Sequence, residues 1–250
     1  MTPPHVSSKR ACGLVRRGRV TVHYERASLS REDAGAFAAL AARGLREIER
    51  LPGLRAAARP RFELHSATRI SSARGGTIHL STYRVASRTA PYLHELAHAL
   101  LPCPHAPPWF SEGLACYLES VVSEAGAGYD SRLFTSGGNR GVDADAALWL
   151  ADPRGRRVLP FIGTRGLPHG ILADRHNVAA PFYVLSHSLV KFLAGQMEIS
   201  ALVRLARARR FAAALRRLTG RSAASWRAAW LEHFVPPASS RRPSNCFTAR

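Results

Sequence analysis

Residues 91–120 read PYLHELAHALLPCPHAPPWFSEGLACYLES, and both the fold and the chemistry turn on this stretch. His94, Glu95 and His98 form an HExxH pattern inside a helical run. Positions four apart on a helix differ by about 40° around the axis and about 6 Å along it, so both imidazoles leave one face. Neutral imidazole is a favoured zinc ligand, and a catalytic zinc takes three protein ligands and keeps a position open for water. Glu95, about 100° round from His94, can reach that water without being a ligand. With 11 His and 11 Glu in 250 residues, the pattern is expected by chance about 0.02 times. The third ligand lies across a proline-rich turn. Pro102, Pro104, Pro107 and Pro108 end the helix and restart another at Pro108, a residue suited to a first helical turn. If the second helix runs back antiparallel, His98 lies four residues before the turn and Glu112 four residues after it, at about the same height. The expected metal set is His94, His98 and Glu112, with one zinc per chain.

Working outward, residues 19–25 (RVTVHYE) alternate with the period of a strand, with Val20, Val22 and Tyr24 on one face. Ser30 and Asp33 form a capping box that opens an amphipathic helix carrying Phe37, Leu40, Leu45 and Ile48, stopped by Pro52 and Gly53. Phe62 and Leu64 mark a second strand, and Gly75–Gly76 turn into a third, Thr77–Ser81. Residues 90–101 and 108–123 read as helices, and residues 181–234 as three or four more, broken near Gly195 and Gly220. Residues 124–180 are rich in Gly, Pro and Asp, with isolated apolar clusters, and read as a loop-rich, substrate-facing insertion. The expectation is an α+β fold in one domain over residues 19–235. It has a small N-terminal sheet and metal helices over 19–123, the insertion over 124–180 and a helical part over 181–235. Residues 1–18 and 236–250 are polar, basic and Pro-punctuated, and are expected to be disordered.

Composition bounds the function. The chain is 46% hydrophobic and 21% charged, as in globular proteins, and has no run of about 18 apolar residues that would span a bilayer. The formal charge of +19 comes from 36 basic residues, of which only Lys9 and Lys191 are lysine. Scattered arginine in an Ala-rich chain is the pattern that GC-rich coding gives without any polyanion partner, and a functional basic surface is the competing reading. Nucleic-acid binding stays open but is not favoured. Cys12, Cys103, Cys116 and Cys246 are too few and too dispersed for a disulfide scaffold, and with no CxxC pair they speak against a cysteine-based zinc site. The N-terminus lacks the apolar core of a secretory signal. The default expectation is a cytoplasmic chain, with secretion or a periplasmic location left open if the true start lies upstream.

HExxH followed by WFSEGLACYLE resembles the glutamate-ligand zinc metallopeptidases, the gluzincins, which include thermolysin and the alanyl-type aminopeptidases. The segment between His98 and Glu112 is shorter than in either, and its spacing is closer to that of the small bacterial peptidase-MA-like domains. The resemblance covers most of residues 19–235, with 91–119 its specific part. It implies a zincin fold in which the 75–80 strand is the edge strand beside the active site. It implies His94, His98 and Glu112 as zinc ligands, Glu95 as general base, and Tyr183 as the donor to the oxyanion. A buried core aromatic is the competing reading of Tyr183. His187, one turn on, either shares that face or is structural. Where thermolysin-like enzymes carry a carboxylate one turn after the glutamate ligand, this chain has Cys116, and Glu119 is a candidate partner for an imidazole. A metzincin is excluded, because its third histidine would fall at Pro104 and its glycine is absent; His105 reads as a loop residue. The implied activity is hydrolysis of a peptide or protein, with an extended chain paired along Thr77–Ser81. The rivals are a basic nucleic-acid-associated protein with an incidental or structural zinc site, and an inactive MA-like binding module.

Overall fold

The computed structural model describes residues 12–54, 59–68, 70–124, 138–171 and 177–234. Its sheet contains β1 (Cys12–Arg17), β2 (Val20–Glu25), β3 (Arg61–His65), β4 (Ser72–Arg74) and β5 (Thr77–Ser81), in the order β1-β2-β3-β5-β4. The inner strands β2, β3 and β5 are parallel, and β1 and β4 lie antiparallel on the two edges. Helices α1 (Arg31–Arg50), α2 (Thr82–Ala86), α3 (Tyr92–Leu100) and α4 (Pro108–Glu124) follow the first strands or lie between them and the second half. That half contains α5 (Gly138–Ala151), α6 (Pro153–Val158), α7 (Ala179–Ala194), α8 (Ile199–Ala206), α9 (Phe211–Thr219) and α10 (Ala223–Glu232). The architecture is α+β.

The strand alternation decides which face is covered. Val20, Val22, Tyr24, Phe62, Leu64, Ile78 and Leu80 are buried on one side of the sheet, and α1 is laid across them. Ser30 caps α1: its Oγ accepts the Asp33 N–H at 3.0 Å. The apolar stripe of α1 then points Phe37 edge-on at Phe62, with centroids 5.2 Å apart, and at Tyr92 of α3, 5.7 Å away. Each such aromatic contact adds about 0.5–1.5 kcal/mol to the burial itself. Through Phe37 and Tyr92 the sheet and α1 fix the first turn of the helix that carries His94.

Three expectations need correction. Residues 12–17, within the segment expected to be disordered, form strand β1, paired with β2 from Cys12↔Glu25 to Arg17↔Val20. Thr77–Ser81 is not the sheet edge. The three residues of β4 cover Thr77, Ile78 and His79, so the edge presented beyond β5 is β4. Among the described residues of the insertion over 124–180, Gly138–Ala151 and Pro153–Val158 form α5 and α6, which is more regular than its composition implies. Residues 1–11, 55–58, 69, 125–137, 172–176 and 235–250, including the expected disordered tail, lie outside the described residues. Among the described residues, no helix is long and apolar enough to cross a membrane.

Helices α4 and α7 pack closely along their length, and Gly113 is the reason. A Cβ built there would lie 2.3 Å from the Ser186 carbonyl oxygen and 2.8 Å from Val190 Cγ2. Backbone cannot swing aside as a flexible side chain can. Gly113→Ala should therefore cost about 3 kcal/mol in denaturant unfolding and move Glu112, its neighbour. A variant within about 0.5 kcal/mol of the parent, the range of ordinary surface substitutions, would mean that the two helices separate freely.

Candidate metal centre

Helix α3 is buried along most of its length, yet it carries His94 at 2% exposure and Glu95 at 7%. Polar groups so placed need partners, because burying them alone costs several kcal/mol. The turn after α3 supplies one. Pro102 has no N–H to continue the helix, and Pro108 starts α4 in the opposite direction. Glu112, one turn into α4, arrives at His94 and His98 as the spacing predicts.

The three donor atoms form a near-equilateral triangle. His94 Nε2 and His98 Nε2 are 3.1 Å apart, and each lies 3.2 Å from Glu112 Oε2. A proton network cannot satisfy this triangle. Each Nε2 holds at most one hydrogen and an ionised Glu112 holds none, so at least one of the three sides faces lone pair to lone pair or hydrogen to hydrogen. A tetrahedral ion with bonds of about 2.0–2.1 Å sets its donors about 3.3 Å apart and satisfies all three together. The donor set of two imidazoles and a carboxylate suits a divalent transition metal, zinc among them. The residues fit the metal that the resemblance implies.

Electrostatics agree with this grouping. Burial pulls the Glu112 carboxyl up, but hydrogen bonds and charge from His94 and His98 reverse this and hold it well below the usual carboxylate range. Burial raises Glu95, and the two imidazoles only partly offset that rise. Burial likewise pushes Tyr183 far above the ordinary phenol range, with the Glu112, Cys116 and Glu95 charges acting in the same direction. Tyr183 therefore keeps its proton and donates it.

Tyr183, on α7, is brought to the cluster. Its ring stands 5.8 Å from the His94 ring at 67°, and its hydroxyl donates to the Glu112 carboxylate. His187 is not brought there. Its Nε2 is 2.7 Å from Asn139 Oδ1 on α5, and its ring faces Tyr117, so its place is structural. Cys116 lies behind His94, its Sγ 3.6 Å from Nδ1, and burial pushes its thiol up. The sequence alone gives Cys116 no role, though its spacing of four from Glu112 on one helix is an available signal. Arg84 of α2 is near enough to Glu95 to favour its charged form, and nothing in the sequence points to it.

Comparison with protein-family models, with curated proteins and with solved structures finds no match to this chain. The reading of the centre rests on its own geometry.

Proposed function

We propose that the protein is a zinc-dependent peptidase of the gluzincin type, with a zincin fold, and that His94, His98 and Glu112 hold the metal. The single observation behind this reading is the triangle of Nε2, Nε2 and Oε2 atoms 3.1–3.2 Å apart, with Glu95 buried beside it. A zinc ion bound there supplies Lewis acidity to a peptide carbonyl and lowers the pKa of water. Glu95 accepts a proton from the attacking water at a carboxylate oxygen and returns it to the leaving amine. Its proton affinity, raised by burial, suits that shuttle. Tyr183, kept protonated, donates its O–H to the oxyanion that develops at the carbonyl. A peptide in extended form pairs with the β4 edge, which replaces Thr77–Ser81 in that role. The test is hydrolysis of an unfolded protein such as casein, abolished by a chelator and restored by zinc.

Tyr183 also bonds Glu112, so its two duties must be separated. At saturating zinc, Tyr183→Phe should lower kcat by roughly 10²–10³ with KM little changed, because the oxyanion exists only in the transition state. Normal kcat at saturating zinc with weakened zinc binding would confine Tyr183 to holding Glu112.

A second reading has one observation in its favour. From Ile199 to Leu231 the chain carries eight arginines and no Asp or Glu. Arg204, Arg207, Arg209, Arg210, Arg216, Arg217 and Arg221 are exposed. Such a surface suits phosphate backbones, and salt-titrated oligonucleotide binding beside the casein assay separates this reading from the first.

A further inference from the structure

An imidazole has two nitrogens, and the donor triangle uses only Nε2 of His94. Nδ1 lies 3.6 Å from the Sγ of Cys116, one turn beyond Glu112 on α4. Glu119 completes a second group. A His94 ring nitrogen, the Cys116 Sγ and a Glu119 carboxylate oxygen all lie within 4.8 Å of one another. His94, Cys116 and Glu119 are 2%, 5% and 8% exposed, so water does not compete for these atoms. Glu112, Cys116 and Glu119 are spaced i, i+4 and i+7, which puts them on one stripe of α4. One helix face thus presents a metal ligand and, a turn further on, a thiol to the back of another ligand.

We propose that Cys116, backed by Glu119, is a positioning residue that accepts the His94 Nδ1–H and thereby sets the tautomer and the ring orientation. The proposal rests on the metal reading above. A neutral imidazole carries one N–H, and the partner at one nitrogen decides which nitrogen keeps it. With the hydrogen held at Nδ1 by sulfur, Nε2 presents its lone pair to the triangle with His98 and Glu112. The thiol is both a weak donor and a weak acceptor, so its own hydrogen can turn toward the Glu119 carboxylate. Such outer partners orient the metal ligand and raise its basicity, and their loss costs about 10–100-fold in metal affinity.

The full-length protein tests this through zinc affinity, measured by competition with a chromogenic chelator, with no reliance on turnover. Cys116→Ala should bind zinc about 10–100-fold more weakly, and Cys116→Ser, whose hydroxyl accepts the same hydrogen, should recover most of the loss. Cys116→Val fills the space of the thiol without an acceptor, and gives the same reading if the alanine variant unfolds. Cobalt-loaded wild-type protein should have no sulfur-to-cobalt charge-transfer band. Unchanged zinc affinity in the alanine and valine variants would overturn the positioning role while leaving the metal reading intact. A charge-transfer band lost on Cys116→Ala would overturn it too, by making the thiol a ligand. Wild-type protein that takes up no zinc would instead sink the metal reading, and this inference with it.

Discussion

Glu95→Gln should leave zinc content and thermal stability close to those of the parent and reduce peptide hydrolysis by roughly 10³–10⁴-fold. Glutamine matches glutamate in shape, so the packing around a residue only 7% exposed is preserved. What disappears is the ability to take a proton from water and return it to the amine. The carboxylate of Glu95 is not part of the donor triangle, which consists of His94, His98 and Glu112. Metal binding should therefore be indifferent to the change. Turnover near the parent rate, measured on one fluorogenic peptide with equal zinc loading, would remove Glu95 from the mechanism.

His98→Ala should have the complementary effect. It removes one of three ligands and strips Glu112 of a neighbour 3.2 Å away. Zinc affinity should fall by more than the roughly 10–100-fold that loss of an outer partner costs, so the variant is isolated without stoichiometric metal. Glu112→Ala should do the same. Hydrolysis falls with the metal in both. Retention of full zinc by both variants would mean that the metal, if bound, lies elsewhere.

The centre is legible in the sequence because short-range geometry builds it. HExxH fixes two imidazoles on one helix face, and the proline turn fixes the direction in which Glu112 returns. Both α3 and α4 begin and end close to where periodicity and proline put them. Sequence and structure part where long-range contacts decide the outcome. Strand β1 has the burial pattern of an edge, with Gly13 its only buried residue, so it lacks the alternation that marks β2. It forms because β2 offers a ladder, and a ladder partner is not visible locally.

Helix α5 has the composition of a loop for a similar reason. It carries Gly138, Gly141, Asp143 and Asp145, and buries only Gly138, Val142 and Ala146 along a narrow stripe. Side chains anchor it to α7. Asn139 meets His187, and Asp143 accepts from Ser188 at 2.9 Å and also pairs with Lys191. Ser188 in turn accepts the Trp230 Nε1–H at 2.9 Å, which ties α10 into the same network. Polar anchors of this kind have no period in the sequence. Tyr183 is legible through resemblance alone, and its hydrogen bond to Glu112 depends on how α7 packs across α4 at Gly113.

The central claim is that two imidazoles and one carboxylate hold a zinc ion. Elemental analysis of purified wild-type protein, combined with X-ray absorption at the zinc edge, tests it most directly. The account predicts about one zinc per chain, in a shell of nitrogen and oxygen donors at about 2.0–2.2 Å with no sulfur. A chain that binds no zinc under saturating conditions, or a zinc with a sulfur neighbour at about 2.3 Å, would contradict it.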